Sequence, residues 1–195
     1  MPNKELPRRW DVLGVIAEAF PRDPMVVTLG GTTRELAALR RSPNHLYVLD
    51  SMGLPVSIGL GLALGLEDSS FEKIVVLEGD GSLLMGFSTL ATIALTKPEK
   101  LVTIILDNGA YSATGNQPTA IASIDLCKAA EACGMQTREA EDLDGLREAL
   151  DWARTTKGPL LIRMHTSLDV AKVPFLLEDP VLLGASFADY VVRNR

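Results

Sequence analysis

Apolar runs of strand length alternate with helix-length segments along this chain. Residues 25–29 (Met-Val-Val-Thr-Leu), 47–49, 73–77, 101–106 and 160–164 are short runs rich in aliphatic and β-branched side chains. Lys73–Leu77 and Leu101–Leu106 are apolar almost throughout, the mark of strands buried on both faces of a sheet. Between the runs lie stretches with helical character. They are Trp10–Phe20, Arg34–Arg40 with Thr33 as its cap, Leu54–Leu66, Leu83–Leu95, Ile124–Cys133 closed by Gly134, and Leu143–Thr155 opened near Asp142 or Asp144. The glycines and alanines of Leu54–Leu66 suit a helix packed closely on a sheet. From Val170 a tail holds Pro174 and Pro180, then an amphipathic stretch over Leu182–Val192 that docks on a partner or on the domain itself. This alternation predicts an α/β fold: one three-layer domain over residues 1–195, with a mostly parallel sheet and helices on both faces.

Composition narrows the classes. Hydrophobic residues at 47% and charged residues at 23% give the chain a core to bury and exclude disorder. A net charge of −6 offers no basic face for nucleic acid, and the arginines at Arg8-Arg9 and Arg40-Arg41 read as solvated surface. Cys127 and Cys133, six positions apart on one expected helix, point to different faces. They read as small buried hydrophobes in a reducing cytoplasm, not as a disulfide. The polar start shows no signal peptide, and Gly53–Leu66, with four glycines and a proline in 14 residues, is too short to span a bilayer.

In parallel α/β sheets, ligands bind at the carboxyl ends of the strands. Two loops there carry suitable chemistry: Glu78-Gly79-Asp80-Gly81-Ser82 and Asp107-Asn108-Gly109-Ala110-Tyr111. The 26 residues between Gly81 and Asn108 fit one helix and one strand, so a right-handed crossover sets the loops side by side. Asp80 offers a hard carboxylate, Asn108 an amide oxygen, and the following turn a carbonyl, a donor set suited to Mg²⁺ with phosphate oxygens completing its shell. Gly79 and Gly81 allow close approach of the backbone, and the N–H groups near Gly81-Ser82 suit a diphosphate. Alone, Gly-Asp-Gly is a common turn sequence. Its order here, after a buried strand and before a helix, a strand and an Asn loop, gives it weight.

That order resembles the motif of thiamine-diphosphate enzymes, in which Gly-Asp-Gly is followed after a similar interval by Asn; Asp107 stands where many members have a first Asn. Around it, Gly79-Asp80-Gly81-Ser82-Leu83-Leu84-Met85, Leu90-Ala91-Thr92-Ile93-Ala94, Thr114-Gly115-Asn116-Gln117-Pro118-Thr119 and Asp50-Ser51-Met52-Gly53-Leu54 are similar to the sulfopyruvate decarboxylase β subunits and the C-terminal halves of phosphonopyruvate decarboxylases. The resemblance runs from about Val26 to Arg163. It implies that Asp80, Asn108 and the Ala110 carbonyl ligate Mg²⁺, and that Gly79, Gly81 and Ser82 hold the diphosphate. Met52 would wedge the cofactor beneath its thiazolium ring, and the Asp50 carbonyl would accept from the 4′-amino group. Gly30, Gly31 and Thr32 would meet the diphosphate from the first strand's loop, and Tyr111 would border the cofactor. Read as residues alone, Met52 and Tyr111 are also ordinary packing side chains. His45 and His165 read as structural or surface residues, and Glu78 receives no role. Two positions depart from the relatives: Gly86 where they often carry Asn, and Ser112-Ala113-Thr114-Gly115-Asn116-Gln117 where they often read Gly-Ser-Thr-Gly-Gly-Gln.

The resemblance also implies a partner. Enzymes of this kind activate the cofactor with a glutamate from a pyrimidine-binding domain, for which this chain has no room, so an α subunit is expected to supply it. The implied reaction is decarboxylation of a 2-oxoacid, 3-sulfopyruvate to sulfoacetaldehyde and CO₂, with a phosphonopyruvate or other split 2-oxoacid enzyme as the alternative. A cofactor-binding module without turnover is the reading from another class.

Overall fold

The five apolar runs, together with one strand the pattern did not reveal, form a single parallel sheet. The computed structural model describes residues 5–195; the polar start read above for a signal peptide lies partly outside the described residues. The strands are β1 (Met25–Val27), β2 (His45–Tyr47), β3 (Ile74–Gly79), β4 (Leu101–Asp107), β7 (Gln136–Ala140) and β8 (Leu160–His165), ordered β2-β1-β3-β4-β8-β7. A two-stranded hairpin, β5 (Ala110–Tyr111) with β6 (Gln117–Pro118), lies apart from the sheet. β3 and β4 are central and buried along almost their whole length, as continuous apolar strands must be. The segment read as a strand at Tyr47–Leu49 is displaced: β2 begins at His45 and ends at Tyr47.

Alternate side chains of the sheet feed two cores. Val75, Leu77, Val102 and Ile104 pack under α1 (Arg9–Ala19), α2 (Gly31–Arg40) and α7 (Leu143–Thr155). Ile74, Val76, Leu101 and Ile105 pack under α3 (Pro55–Gly65), α4 (Asp80–Met85), α5 (Thr89–Thr96), α6 (Leu126–Ala132) and α8 (Pro180–Asn194). This is the three-layer fold expected. The tail turns its own amphipathic helix onto the domain, burying Leu183, Phe187 and Val191 while Val181, Leu182 and Val192 stay exposed. Both cysteines are free, and among the described residues no helix is long and apolar enough to cross a membrane.

Several expectations are corrected. Thr33 does not cap α2, which begins at Gly31; its hydroxyl donates to the Thr28 carbonyl at 2.7 Å, tying the helix to the end of β1. The helix expected over Leu83–Leu95 is two helices, α4 starting at Asp80 and α5 at Thr89, broken around Gly86. A Cβ at Gly86 would lie 2.0 Å from the Gly53 carbonyl oxygen, so this break is a close contact between two backbones. Arg9 is not solvated: it is buried, and donates to both carboxylate oxygens of the buried Glu35 at 3.2 and 2.7 Å.

His45 is buried in β2, its Nδ1 3.1 Å from the Tyr47 hydroxyl. Burial, with the Arg40 charge opposing protonation, lowers its pKa to about 4. The unfolded chain therefore takes up a proton that the folded one refuses. Stability is fully present above the ordinary value of 6.5 and is lost as pH falls towards 4. The loss should amount to about 2–3 kcal/mol at one histidine. Urea unfolding at pH 7 and pH 4.5 checks this: His45→Gln should remove most of the drop, and an unchanged drop would assign it to other groups.

Candidate active site

β3 and β4 lie side by side, with Gly79 opposite Leu106, so the two motif loops emerge next to each other at the carboxyl end of the sheet. β1 flanks β3 on the other side and delivers Leu29, Gly30 and Gly31 to the same end. The three segments enclose a cleft of about 120 Å³. Its walls include Gly30, Gly31, Thr32, Met52, Gly79, Asp80, Gly81, Ser82, Asn108, Ala110 and Tyr111. Of the cofactor-binding residues expected from the sequence, only Asp50 lies elsewhere, on an adjoining cavity. Neither histidine lines the cleft.

No loop separates β3 from α4. Gly79 is extended, and Asp80 opens the helix. This places the Asp80 carboxylate at the cleft while burying it to 2% exposure. Its Oδ2 accepts from the Thr119 hydroxyl at 2.5 Å. Burial pushes its pKa up and the Asp107 charge adds to this; the Thr119 hydroxyl and the Gly81 and Asn108 N–H groups act the other way. Gly81 is required by close approach: a Cβ there would lie 2.4 Å from the Tyr111 ring. Ser82 accepts from the Gly53 N–H at 2.9 Å, fixing the turn that carries Met52.

The second loop is held by two side chains folded back on their own backbone. Asp107 Oδ1 accepts from the Gly109 N–H at 3.0 Å, and Asn108 Oδ1 accepts from the Ala110 N–H at 3.0 Å. The Asn108 amide also donates to the Ser112 hydroxyl at 2.9 Å. An amide oxygen has two lone pairs, so Asn108 keeps acceptor capacity for a cation. Asp107 Oδ2 accepts from Arg163 Nε at 2.8 Å and pairs with its Nη2 at 2.7 Å, and Arg163 reaches Glu139 at 3.1 Å. His165 joins the same network through Glu139 at 2.7 Å. The reading of the sequence missed Arg163. Its signal was a lone arginine near the end of an otherwise apolar strand.

Glu78, given no role above, is fully buried against the motif, its Oε1 accepting from the Gly79 N–H at 3.1 Å. Burial raises its pKa, opposed by the Ser82 and Thr28 hydroxyls. Of the two departures from the relatives, Asn116 sits at φ 58, a left-handed conformation that asparagine tolerates where glycine is usual. Among the described residues no group of three or more His, Cys, Asp or Glu side chains could hold a metal ion. A cation here would rest on one carboxylate, an amide and a main-chain carbonyl.

These features make a parallel α/β domain with a cleft at the carboxyl ends of β1, β3 and β4. Residues 29–164 match the family described as thiamine pyrophosphate enzyme, C-terminal TPP binding domain, and the chain belongs to that family. Within it, the chain is similar to the sulfopyruvate decarboxylase subunit beta of Methanocaldococcus jannaschii, 39% identical over 190 residues that cover 96% of this chain and 99% of that protein. It is also 40% identical over 165 residues to the phosphonopyruvate decarboxylase of Streptomyces hygroscopicus, covering 84% of this chain and 40% of that one. The chain thus spans about 40% of the length of the phosphonopyruvate decarboxylases it matches. The benzoylformate decarboxylase of Polynucleobacter necessarius shares the fold, with a TM-score of 0.72 at 23% identity, covering 84% of this chain and 34% of that one.

Proposed function

We propose that this chain is the diphosphate-binding subunit of a thiamine-diphosphate-dependent 2-oxoacid decarboxylase, acting on 3-sulfopyruvate at a site shared with a pyrimidine-domain α subunit. The observation that carries the reading is the meeting of the Gly79-Asp80-Gly81 turn, the Asn108 loop and Gly30-Gly31 on one cleft. The residues fit the cofactor. Asp80, Asn108 and the Ala110 carbonyl are hard oxygen donors of the kind Mg²⁺ takes, together with phosphate oxygens. The gap that Gly81 leaves beneath Tyr111 is too tight for a side chain, and Asp80, Gly81 and Ser82 of the first turn of α4 line the cleft, where a diphosphate would sit. When bound, thiamine diphosphate supplies an electron sink for the carbanion left by departing CO₂.

Each residue of the chain would then have a task. Asp80 and Asn108 would fix the metal, and Ser82 would hold the Met52 turn against the motif helix. Met52 would set the bend of the cofactor, and the Asp50 carbonyl would orient its pyrimidine end. Arg163, through Asp107, would keep the Asn108 loop in register. Asp80 is the one carboxylate on the cleft wall among the described residues. The activating glutamate would therefore come from the partner. Phe175, Leu177, Val181 and Leu182 leave apolar surface exposed along the tail, which supports partner docking from about residue 170 onwards. Both free cysteines suit the cytoplasm.

A phosphonopyruvate enzyme is the second reading, favoured by the 40% identity to a phosphonopyruvate decarboxylase. The test is reconstitution with a pyrimidine-domain chain, thiamine diphosphate and Mg²⁺, followed by CO₂ release from 3-sulfopyruvate, phosphonopyruvate and pyruvate. Turnover in the mixture alone, fastest with 3-sulfopyruvate, is the expected result. Cofactor binding without turnover of any 2-oxoacid would instead mark a non-catalytic module.

A further inference from the structure

Beyond the cofactor cleft, the carboxyl-end loops and the tail enclose a second cavity of about 600 Å³. It adjoins the cleft, since Arg9, Leu29, Gly30, Gly31, Ser112 and Ala113 line both. Arg34, in the first turn of α2, forms part of its wall, and tail residues 175–178 form another part. Two of the charges lining this cavity, Arg9 and Glu178, are already paired. Arg9 is bound to Glu35, and Arg41 to Glu178. Asp50 is exposed to solvent, which screens its carboxylate.

Arg34 differs from these. Among the described residues it makes no ion pair. Its guanidinium lies 4.5 Å from the Phe175 ring centroid, and its buried Nε has no hydrogen-bond partner. The aromatic ring shields one side of the cation from water without satisfying its donors. A buried N–H left unmade is costly, and a planar guanidinium presents a fork that matches tetrahedral oxyanions.

We propose that Arg34 reads the distal oxyanion of the substrate, a sulfonate or phosphonate carried one carbon beyond the 2-oxo group. This rests on the decarboxylase reading above. The cleft and this cavity share a wall that includes Ser112 and Ala113, so a 2-oxoacid held at the mouth of the cleft would have its far end within the adjoining cavity. There Arg34 is the cation free to pair with it. A substrate ending in a methyl group would leave this donor unmet, so the cavity selects for an anion.

The experiment measures binding of two unreactive probes, 3-sulfopropanoate and 3-phosphonopropanoate, to the assembled complex loaded with thiamine diphosphate and Mg²⁺. It compares wild type with Arg34→Gln and Arg34→Lys. Arg34→Gln should weaken binding of the preferred probe at least tenfold, with Arg34→Lys in between because it keeps the charge and loses the fork. The probe that loses more identifies the distal group. Cofactor affinity, measured alongside, should move far less than probe affinity, which a general loss of structure would not permit. Equal probe affinity in wild type and Arg34→Gln, or no binding by wild type, overturns the proposal. In turnover assays the preference for the anionic substrate over pyruvate should collapse in Arg34→Gln. Probe binding that depends on Arg34 in a complex without any decarboxylation would sink the decarboxylase reading and leave the anion site standing.

Discussion

Asp80→Asn is expected to weaken binding of thiamine diphosphate with Mg²⁺ at least about a hundredfold, beyond the usual cost of disturbing even the groups around a metal ligand. The apo chain should stay at least as stable. The two outcomes separate because of where the carboxylate sits. It is buried beside Asp107, with the Thr119 hydroxyl as its near partner, so its charge is costly until a cation arrives. Asparagine keeps the size and can still accept from Thr119, but it removes that charge. Isothermal titration of the cofactor and urea unfolding of the apo chain give the two numbers. A large loss of apo stability would mean that Asp80 is a structural residue of the turn.

Gly86→Ala should do the reverse and damage the fold first. The added methyl would lie 2.0 Å from the Gly53 carbonyl oxygen and at the limit of non-bonded contact with the rest of that turn, with Cα and C at 3.0 and 2.9 Å. Backbone on both sides leaves no flexible side chain to give way. A destabilisation of about 3 kcal/mol or more follows. Gly53 follows Met52 and is held by Ser82, so relief of the clash moves the cleft wall as well. Denaturant unfolding checks the first effect and cofactor titration the second. A variant of normal stability would show that α4 and the Met52 turn are not in firm contact.

Much of this architecture was legible in the sequence because it rests on local patterns. The central strands are continuous apolar runs, and the motif loops sit at their carboxyl ends, so neighbouring strands alone bring Asp80 and Asn108 together. What escaped the sequence depends on partners far along the chain. β7, Gln136-Thr-Arg-Glu-Ala, is polar because it is the edge strand, and only Ala140 is buried. The break between α4 and α5 comes from Gly53, over thirty residues earlier, while the local pattern through Gly86 remains helical. Arg9 looks like surface until Glu35 is placed beneath α1. Arg163 looks like an interruption of β8 until Asp107 meets it across the sheet.

The same distinction holds within the site. Glycine-rich turns and the order of motifs pointed to the cleft itself. The side chains that brace it, Thr119 on Asp80, Ser82 on Gly53 and Arg163 on Asp107, come from separate segments that only the fold assembles. Arg34 belongs to this second group, since its significance lies in a cavity whose other lining arginine, Arg9, is already bound to Glu35.

The most direct measurement is a titration of thiamine diphosphate into this chain assembled with a pyrimidine-domain partner, in Mg²⁺ and again after chelation. Saturable binding that needs the metal and is lost in Asp80→Asn is the predicted result. Binding that is indifferent both to the metal and to Asp80 would contradict it.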